Sequence, residues 1–550
     1  MLFNKHKTKI FGTLSLLTIL AGNTVAQHGS VYSWDKLPDV NQPIFRKDTL
    51  DIQQFGAKGD GHTLNTKSIN DAIRAVSQKG GGVVLIPSGY WLSGPIVLQS
   101  NVNLHLHGSA FLQFTADFDQ YKIVEGNYEG KPSARNESPI SGKNVENIAI
   151  TGHGTIDGNG DAWRMVGKGA LTEAEWRQKV ASGGLLSADG KTWFPSAKTK
   201  LAHEDKRSVL LADGKTLADF ADIKDYLRPN LVVLTNCKNI LLEGVTFQNS
   251  PAWNLHPLMS QHLTIRDVKI KNPDYAQNGD GIDIESCANV LIEDCILDVG
   301  DDAICIKSGK DEEGRKRGIA TEKVIIRRNK VYLGHGGFVV GSEMSGGARD
   351  IFVEDCTFMG TDKGIRFKTT RGRGGIVENI HIRNINMSNI RHEAIFFDMY
   401  YWTKPPLANE VQVIPDVTVE TPQIRHVYIE NIYCNGAAIG VFVRGLPEMP
   451  VQHIYMKNLN LTVTKGVEIK DAQYLSLENV FLNTQDNDPL VYIESAKDLN
   501  FDHIQFDNSR KQILEVSGAN SSNLVFKNSK IDRSKLVFEH GAKKTAVRLD

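Results

Sequence analysis

The chain has 550 residues, 63 basic and 64 acidic side chains, and a mean hydropathy of −0.28. This near-balance of charge excludes the electrostatic footprint of a nucleic-acid-binding protein and gives no polybasic membrane patch. Any charged groove has to come from particular residues rather than from totals.

Lys5, Lys7 and Lys9 precede an apolar run from Ile10 to Leu20, followed by Thr24-Val25-Ala26. That order predicts a signal peptide over residues 1–26 and export to the periplasm or beyond. The run is too short to span a bilayer, and no cysteine follows it to carry a lipid, so no membrane insertion is expected. Residues 27–47 read as an N-terminal extension and 48–550 as a single domain. Within that domain, Ile69, Ala72, Ile73 and Val76 fall on one face of a predicted helix over Ser68 to Val76. Gly80-Gly81-Gly82 ends it before the strand Val83 to Pro87. The helix is expected to cap an open strand edge. Residues 160–228 break the pattern of the surrounding chain and include a helix-like run from Thr172 to Val180, which predicts a long loop insertion beside a cleft.

The dominant signal is repetition. A unit of two apolar residues flanking one position, then a charged residue and Asn or Asp, registers on Leu242, Ile265, Ile292, Ile326, Val353, Ile382, Ile429, Met456, Leu477, Phe501 and Phe526. Most steps run from 21 to 29 residues, with longer ones of 34 and 47. Each unit holds two or three period-2 segments broken by Gly, Asn and Asp. Gaps this short leave no room for the crossover helices of a βα barrel. The expected fold is therefore all-β: a single-stranded, right-handed parallel β-helix, coil stacked on coil. The six cysteines, Cys237, Cys287, Cys295, Cys305, Cys356 and Cys434, form no CxxC pair. They are expected to be buried thiols, although export leaves a disulfide open.

Four consecutive coils carry unusual polar residues: Asn278-Gly279-Asp280, Gly300-Asp301-Asp302, Gly334-His335-Gly336 and Arg366-Phe367-Lys368. Aligning Ile282, Ile304, Phe338 and Ile365 as one inward column stacks Asp280 on Asp302 and Asp301 on His335. The outward rows are then Asp283, Cys305, Val339 and Arg366, with Glu285, Lys307, Gly341 and Lys368 two residues on. With coils about 4.8 Å apart, three carboxylates and a cationic pair meet in one trench. Their ionisations must be coupled, and at least one carboxyl pushed upward. A protonated acid beside ionised ones is what cleavage of a glycosidic bond requires. Taken singly, each motif would serve as a solenoid turn or a solvated strand face.

The set resembles glycoside hydrolase family 28, the polygalacturonases, whose pattern reads NTD, DD, GHG and RIK. Ser250-Pro251-Ala252-Trp253-Asn254-Leu255-His256-Pro257 resembles the family's SPxWxxHP segment. The resemblance implies inverting hydrolysis of α-1,4 bonds between galacturonates of a pectic polysaccharide, without metal or cofactor. It implies Asp301 as general acid, Asp280 and Asp302 as the pair that positions and deprotonates water, and His335 as the residue tuning the acid. Arg366 and Lys368 would bind the sugar carboxylate on the reducing-end side of the cut. Asn278, Lys307, Tyr400 and Trp402 are further candidates for substrate contact, and Tyr400-Tyr401-Trp402 could wall the cleft. Gly279 stands where the family has Thr, and Phe367 where it has Ile. The insertion near 160–228 suggests attack from a chain end; a monomer is expected. Two other readings stay open: a calcium-dependent pectate lyase built on the same carboxylates, and a non-catalytic glycan-binding solenoid.

Overall fold

The computed structural model describes residues 31–550 apart from 213, 406–412, 487–488 and 508. The expected signal peptide lies outside the described residues. The chain is a right-handed parallel β-helix. One fourteen-stranded sheet runs from Ile96–Val97 to Leu536–Glu539, and a second, larger sheet wraps the other faces. Neighbouring strands of both are parallel, as coil-on-coil winding demands.

The sequence register holds rung by rung. Leu242 pairs with Ile265, Ile265 with Ile292, and so on through Ile326, Val353, Ile382, Ile429, Met456, Leu477, Phe501 and Phe526. Upstream the column continues through Ile150, Leu104, Val84 and Leu50, and downstream to Leu549. Those outer coils lack the full repeat unit and escape a search for it. Withdrawing each such side chain from water is worth about 1.5–3 kcal/mol, and the stacked column forms one continuous core.

The Asn or Asp that ends each unit has its own cause. Asp267, Asp294, Asp355, Asn384, Asn431, Asn458 and Asn479 all have φ between 50° and 59°. This left-handed conformation is one that Asn and Asp tolerate. Their side chains then form a ladder: Asn384 donates to Asp355, Asn431 to Asn384, Asn458 to Asn431 and Asn479 to Asn458, at 2.7–3.0 Å. The turn conformation and the coil-to-coil hydrogen bond select the same residue.

Helix α1 (Thr66–Gln78) buries Ile69, Ala72, Ile73 and Val76 against the first coils, as a cap would. The segment before it runs along the flank, where Arg383 sits 3.8 Å from the Trp34 ring centre. Residues 160–228 form helices α2 (Glu173–Ala181) and α3 (Ala197–Glu204) and a 3-10 stretch over Leu217–Tyr226. Thr172 and Glu175 close a reciprocal capping box at the start of α2. This lobe has a small core of its own, Ala202, Val209, Phe220, Ile223 and Leu227, into which Ala134 inserts. Ala134 belongs to an antiparallel hairpin, Ile123–Tyr128 with Lys131–Asn136, that the sequence did not announce. All six cysteines are buried and free.

Candidate active site

Six strands of the fourteen-stranded sheet position the site: β1 (Leu255–Leu258), β2 (Ile282–Glu285), β3 (Asp302–Lys307), β4 (Gly336–Val340), β5 (Ile365–Lys368) and β6 (Glu393–Asp398). Ile282, Ile304, Phe338 and Ile365 pair in register and are fully buried. That inward column fixes the outward one: Asp283 pairs with Cys305, Cys305 with Val339, and Val339 with Arg366. Asp302 pairs with Gly336, which sets Asp301 beside His335 on the adjacent coil. Phe367 points inward, stacked 4.4 Å from Phe397.

Asp280, Asp301 and Asp302 each present an oxygen within 4.8 Å of the others. Each has different neighbours. Lys368 Nζ lies 2.7 Å and Arg366 Nη1 3.1 Å from the two oxygens of Asp302. Burial pushes the Asp302 carboxyl up, but Lys368 and Arg366 outweigh it and hold the group well below the usual carboxylate range. Asp280 has the opposite balance. It is buried, Asp283 and Asp301 repel its charge, and Lys307 Nζ is 3.5 Å away. Its carboxyl is raised well above the ordinary value. Asp301 is the most open of the three; the backbone N–H of Asp302 donates to it at 2.9 Å, and His335 Nδ1 is 3.0 Å from its Oδ1. This bond to Asp301 raises the His335 imidazole.

The cluster as a whole therefore favours a proton on Asp280 and the ionised form of Asp302, as the coupling required. By distance the three oxygens could share a divalent cation. However, Asp302 already has two cationic partners and Asp280 one, so the charge a metal would neutralise is largely matched.

Asn278, Asp280, Asp301, Asp302, Lys307, Lys368 and Trp402 line one cavity of about 130 Å³. Arg366 and His335 stand behind it through their contacts with Asp302 and Asp301. Tyr400 does not join them: it is buried in the solenoid core, between Arg371 and Arg444. In the turn after β6 its neighbour Tyr401 reaches the cations of the site instead, with Lys368 Nζ 5.0 Å from the ring centre. Lys307 is less a free ligand than a buried ion-pair partner, 3.1 Å from Asp283 and 3.7 Å from the Trp253 ring centre. Arg228 holds Asn278, donating to its Oδ1 at 3.0 Å. Gly279 has a local explanation: a β-carbon there would meet the Ala276 carbonyl oxygen and Cβ at 2.7 Å, so this turn has no space for the family's Thr.

Sequence reasoning missed Glu129 and did not foresee the burial of Asp283. Glu129 arrives on the hairpin tip and pairs with Lys310 at 2.9 Å. Asp283 sits in the row expected to face outward but is fully buried, and burial raises it to about 6. Beside it, Glu285 is buried too; His256 and Arg317, at 2.8 and 2.6 Å, overcome that burial and hold it down to about 2.

A family model described as "Glycosyl hydrolases family 28" matches residues 175–473, a stretch that contains every strand of the site. The chain belongs to glycoside hydrolase family 28. Another model, "Rhamnogalacturonase A/epimerase, pectate lyase-like", matches residues 49–194. Among relatives of this family 28 hydrolase is a "Probable polygalacturonase" of Vitis vinifera, 30% identical over 426 residues, 76% of this chain and 74% of that one. The "Exo-poly-alpha-D-galacturonosidase" of Dickeya chrysanthemi is 28% identical over 64% of this chain, which spans 57% of that protein. Among solved structures, an exopolygalacturonase from Thermotoga maritima superposes with a TM-score of 0.62 at 31% identity, covering 81% of this chain and 94% of that one.

Proposed function

We propose that this family 28 hydrolase cleaves the α-1,4 bonds between galacturonate residues of a pectic polysaccharide, with inversion, without a metal, and from a chain end. The observation that carries the reading is the trench in which Asp280, Asp301 and Asp302 lie against Arg366 and Lys368. Asp301, open and bonded to His335, protonates the leaving oxygen. Asp302, kept ionised, and Asp280 hold the attacking water. Arg366 and Lys368 take the galacturonate carboxylate on the reducing-end side.

Inverting pairs usually stand about 6.5–9.5 Å apart. Here the oxygens are closer, which supports a water held beside Asp280 and Asp302 rather than threaded between two distant groups. Attack from a chain end is supported by the hairpin and insertion lobe at the N-terminal side of the trench and by the exo-acting relatives. Export rests on the leader, and action as a monomer on the capped N-terminal edge. No helix of the described residues is long and apolar enough to cross a membrane.

Products from polygalacturonate test the proposal. Monomer or dimer alone, from the first time point and in EDTA, is the expected result, with the newly formed reducing end appearing by NMR as the β anomer. A ladder of oligomers would remove the exo mode, an α anomer the inversion, and an unsaturated product absorbing in the ultraviolet the hydrolysis itself.

A further inference from the structure

A second cavity, of about 260 Å³, opens between the hairpin and the insertion lobe. Glu129 and Lys310 line both it and the catalytic cavity. A narrow space of about 10 Å³, bordered by Arg135, Glu129, Trp253 and Asn278, shares lining residues with each. Five cations face the second cavity, and three of them are answered by a carboxylate. Lys131 pairs with Asp311 at 2.6 Å, Arg207 with Asp222 at 2.7 Å and Lys310 with Glu129 at 2.9 Å. Arg135 and Arg228 have no carboxylate partner among the described residues.

The two differ in how their donors are used. Arg228 is spent on protein oxygens: the carbonyls of Pro251 and Gln277, at 2.9 and 2.7 Å, and Asn278 Oδ1. Arg135, only 8% exposed, makes one long bond of 3.3 Å to Asn230 Oδ1 and lies 5.3 Å from the Tyr128 ring centre. Its remaining donors are free to face the cavity, and a largely buried guanidinium next to a second one gains from an anion that completes its fork. Burial and the nearby Arg228 push Arg135 down, to about 10, and the Glu129 carboxylate, paired to Lys310, offsets them only in part.

We propose that Arg135, backed by Arg228, binds the carboxylate of a uronate residue on the side of the cut away from Arg366 and Lys368, at the non-reducing end. The inference rests on the proposed galacturonan hydrolysis and adds the feature that would select an acidic terminal sugar. Position supports it. Asn230, Trp253 and Asn278 belong to the coils before β3, whereas Arg366 and Lys368 lie on the coil after β4, so the carboxylate cluster stands between two cationic sites. A planar guanidinium fork matches a carboxylate in bidentate fashion, which a lysine cannot reproduce fully.

The test compares trigalacturonate with the same trimer whose non-reducing terminal carboxyl has been reduced to the alcohol, using wild type, Arg135→Gln and Arg135→Lys. Wild type is expected to favour the acidic trimer at least tenfold in kcat/KM, mainly through KM. Arg135→Gln should bring that preference close to one, and Arg135→Lys should restore part of it, which also separates a binding role from a folding defect. Equal preference in wild type and in Arg135→Gln would overturn the proposal. If wild type cleaved neither trimer, the proposed function itself would fall. Calorimetric titration with galacturonate would then judge the site: heat lost in Arg135→Gln keeps it, and equal heats remove it.

Discussion

Lys368 Nζ lies 2.7 Å from Asp302 Oδ2, and the two side chains are 8% and 2% exposed. This ion pair has a double use: it keeps one member of the carboxylate cluster ionised, and it fixes the cation expected to face the substrate. Removing one partner of such a pair leaves the other charge buried and uncompensated.

Lys368→Met should therefore lower kcat at least a hundredfold and destabilise the fold by about 3–5 kcal/mol at neutral pH. Asp302 has a depressed folded pKa, so its contribution to stability is present above the ordinary carboxylate value and is lost as pH falls through the folded one. The deficit of the variant should accordingly shrink toward acid pH. Urea unfolding of both proteins between neutral and acid pH measures it, and a constant deficit would contradict the assignment.

Asp301→Asn keeps the shape of the acid and removes its proton. Turnover should fall by about 10²–10⁴, with KM and melting temperature little changed. A variant retaining near-normal turnover would leave the cluster without its leaving-group acid.

Asp280 can accept a proton from the attacking water only once ionised, which happens as pH rises through its raised pKa, so this group should set the acid limb of kcat/KM. After burial, the charge of Asp283 is the largest influence raising Asp280. Asp283→Asn should move the limb about one pH unit toward acid. An unmoved limb in the pH profile would show that the ionisation of Asp280 does not govern turnover.

Burial pushes the thiols of Cys287, Cys295, Cys356 and Cys434 up to about 12, and that of Cys305 well above its ordinary value. A thiol-specific chromogenic disulfide should label none of the six cysteines in the native protein and all six in denaturant. A reducing agent should leave the melting temperature unchanged. Rapid native labelling would show that the coils open far more readily than their packing suggests.

The stacking of Leu242 through Phe526 was legible because a solenoid repeats one local decision, and each rung restates the register of the last. The same logic brought Asp280, Asp301 and Asp302 together without a contact map. What it could not supply was anything set by chains crossing outside the stack. The hairpin over residues 123–136 reaches the site through Asn127, which donates to Glu285 at 3.1 Å across 158 residues, and no periodicity encodes such a contact. Asp283 looked outward because strand alternation says which sheet face a residue takes, not whether another segment covers that face. Tyr400 was expected to wall the cleft with Tyr401 and Trp402, but all three follow the strand end, where alternation no longer says which side chain turns inward.

Ile150 and Leu242 are direct neighbours in the ladder, although the whole insertion lobe lies between them in the chain. An excursion that leaves and rejoins the stack at adjacent rungs alters no pairing on either side. Such a fold can lengthen, shorten or exchange the walls around its groove while the floor keeps its geometry. Replacing the lobe by a brief linker that keeps Arg228, the residue that holds Asn278, is thus a change in how sugar chains are admitted, made independently of the machinery that cuts them.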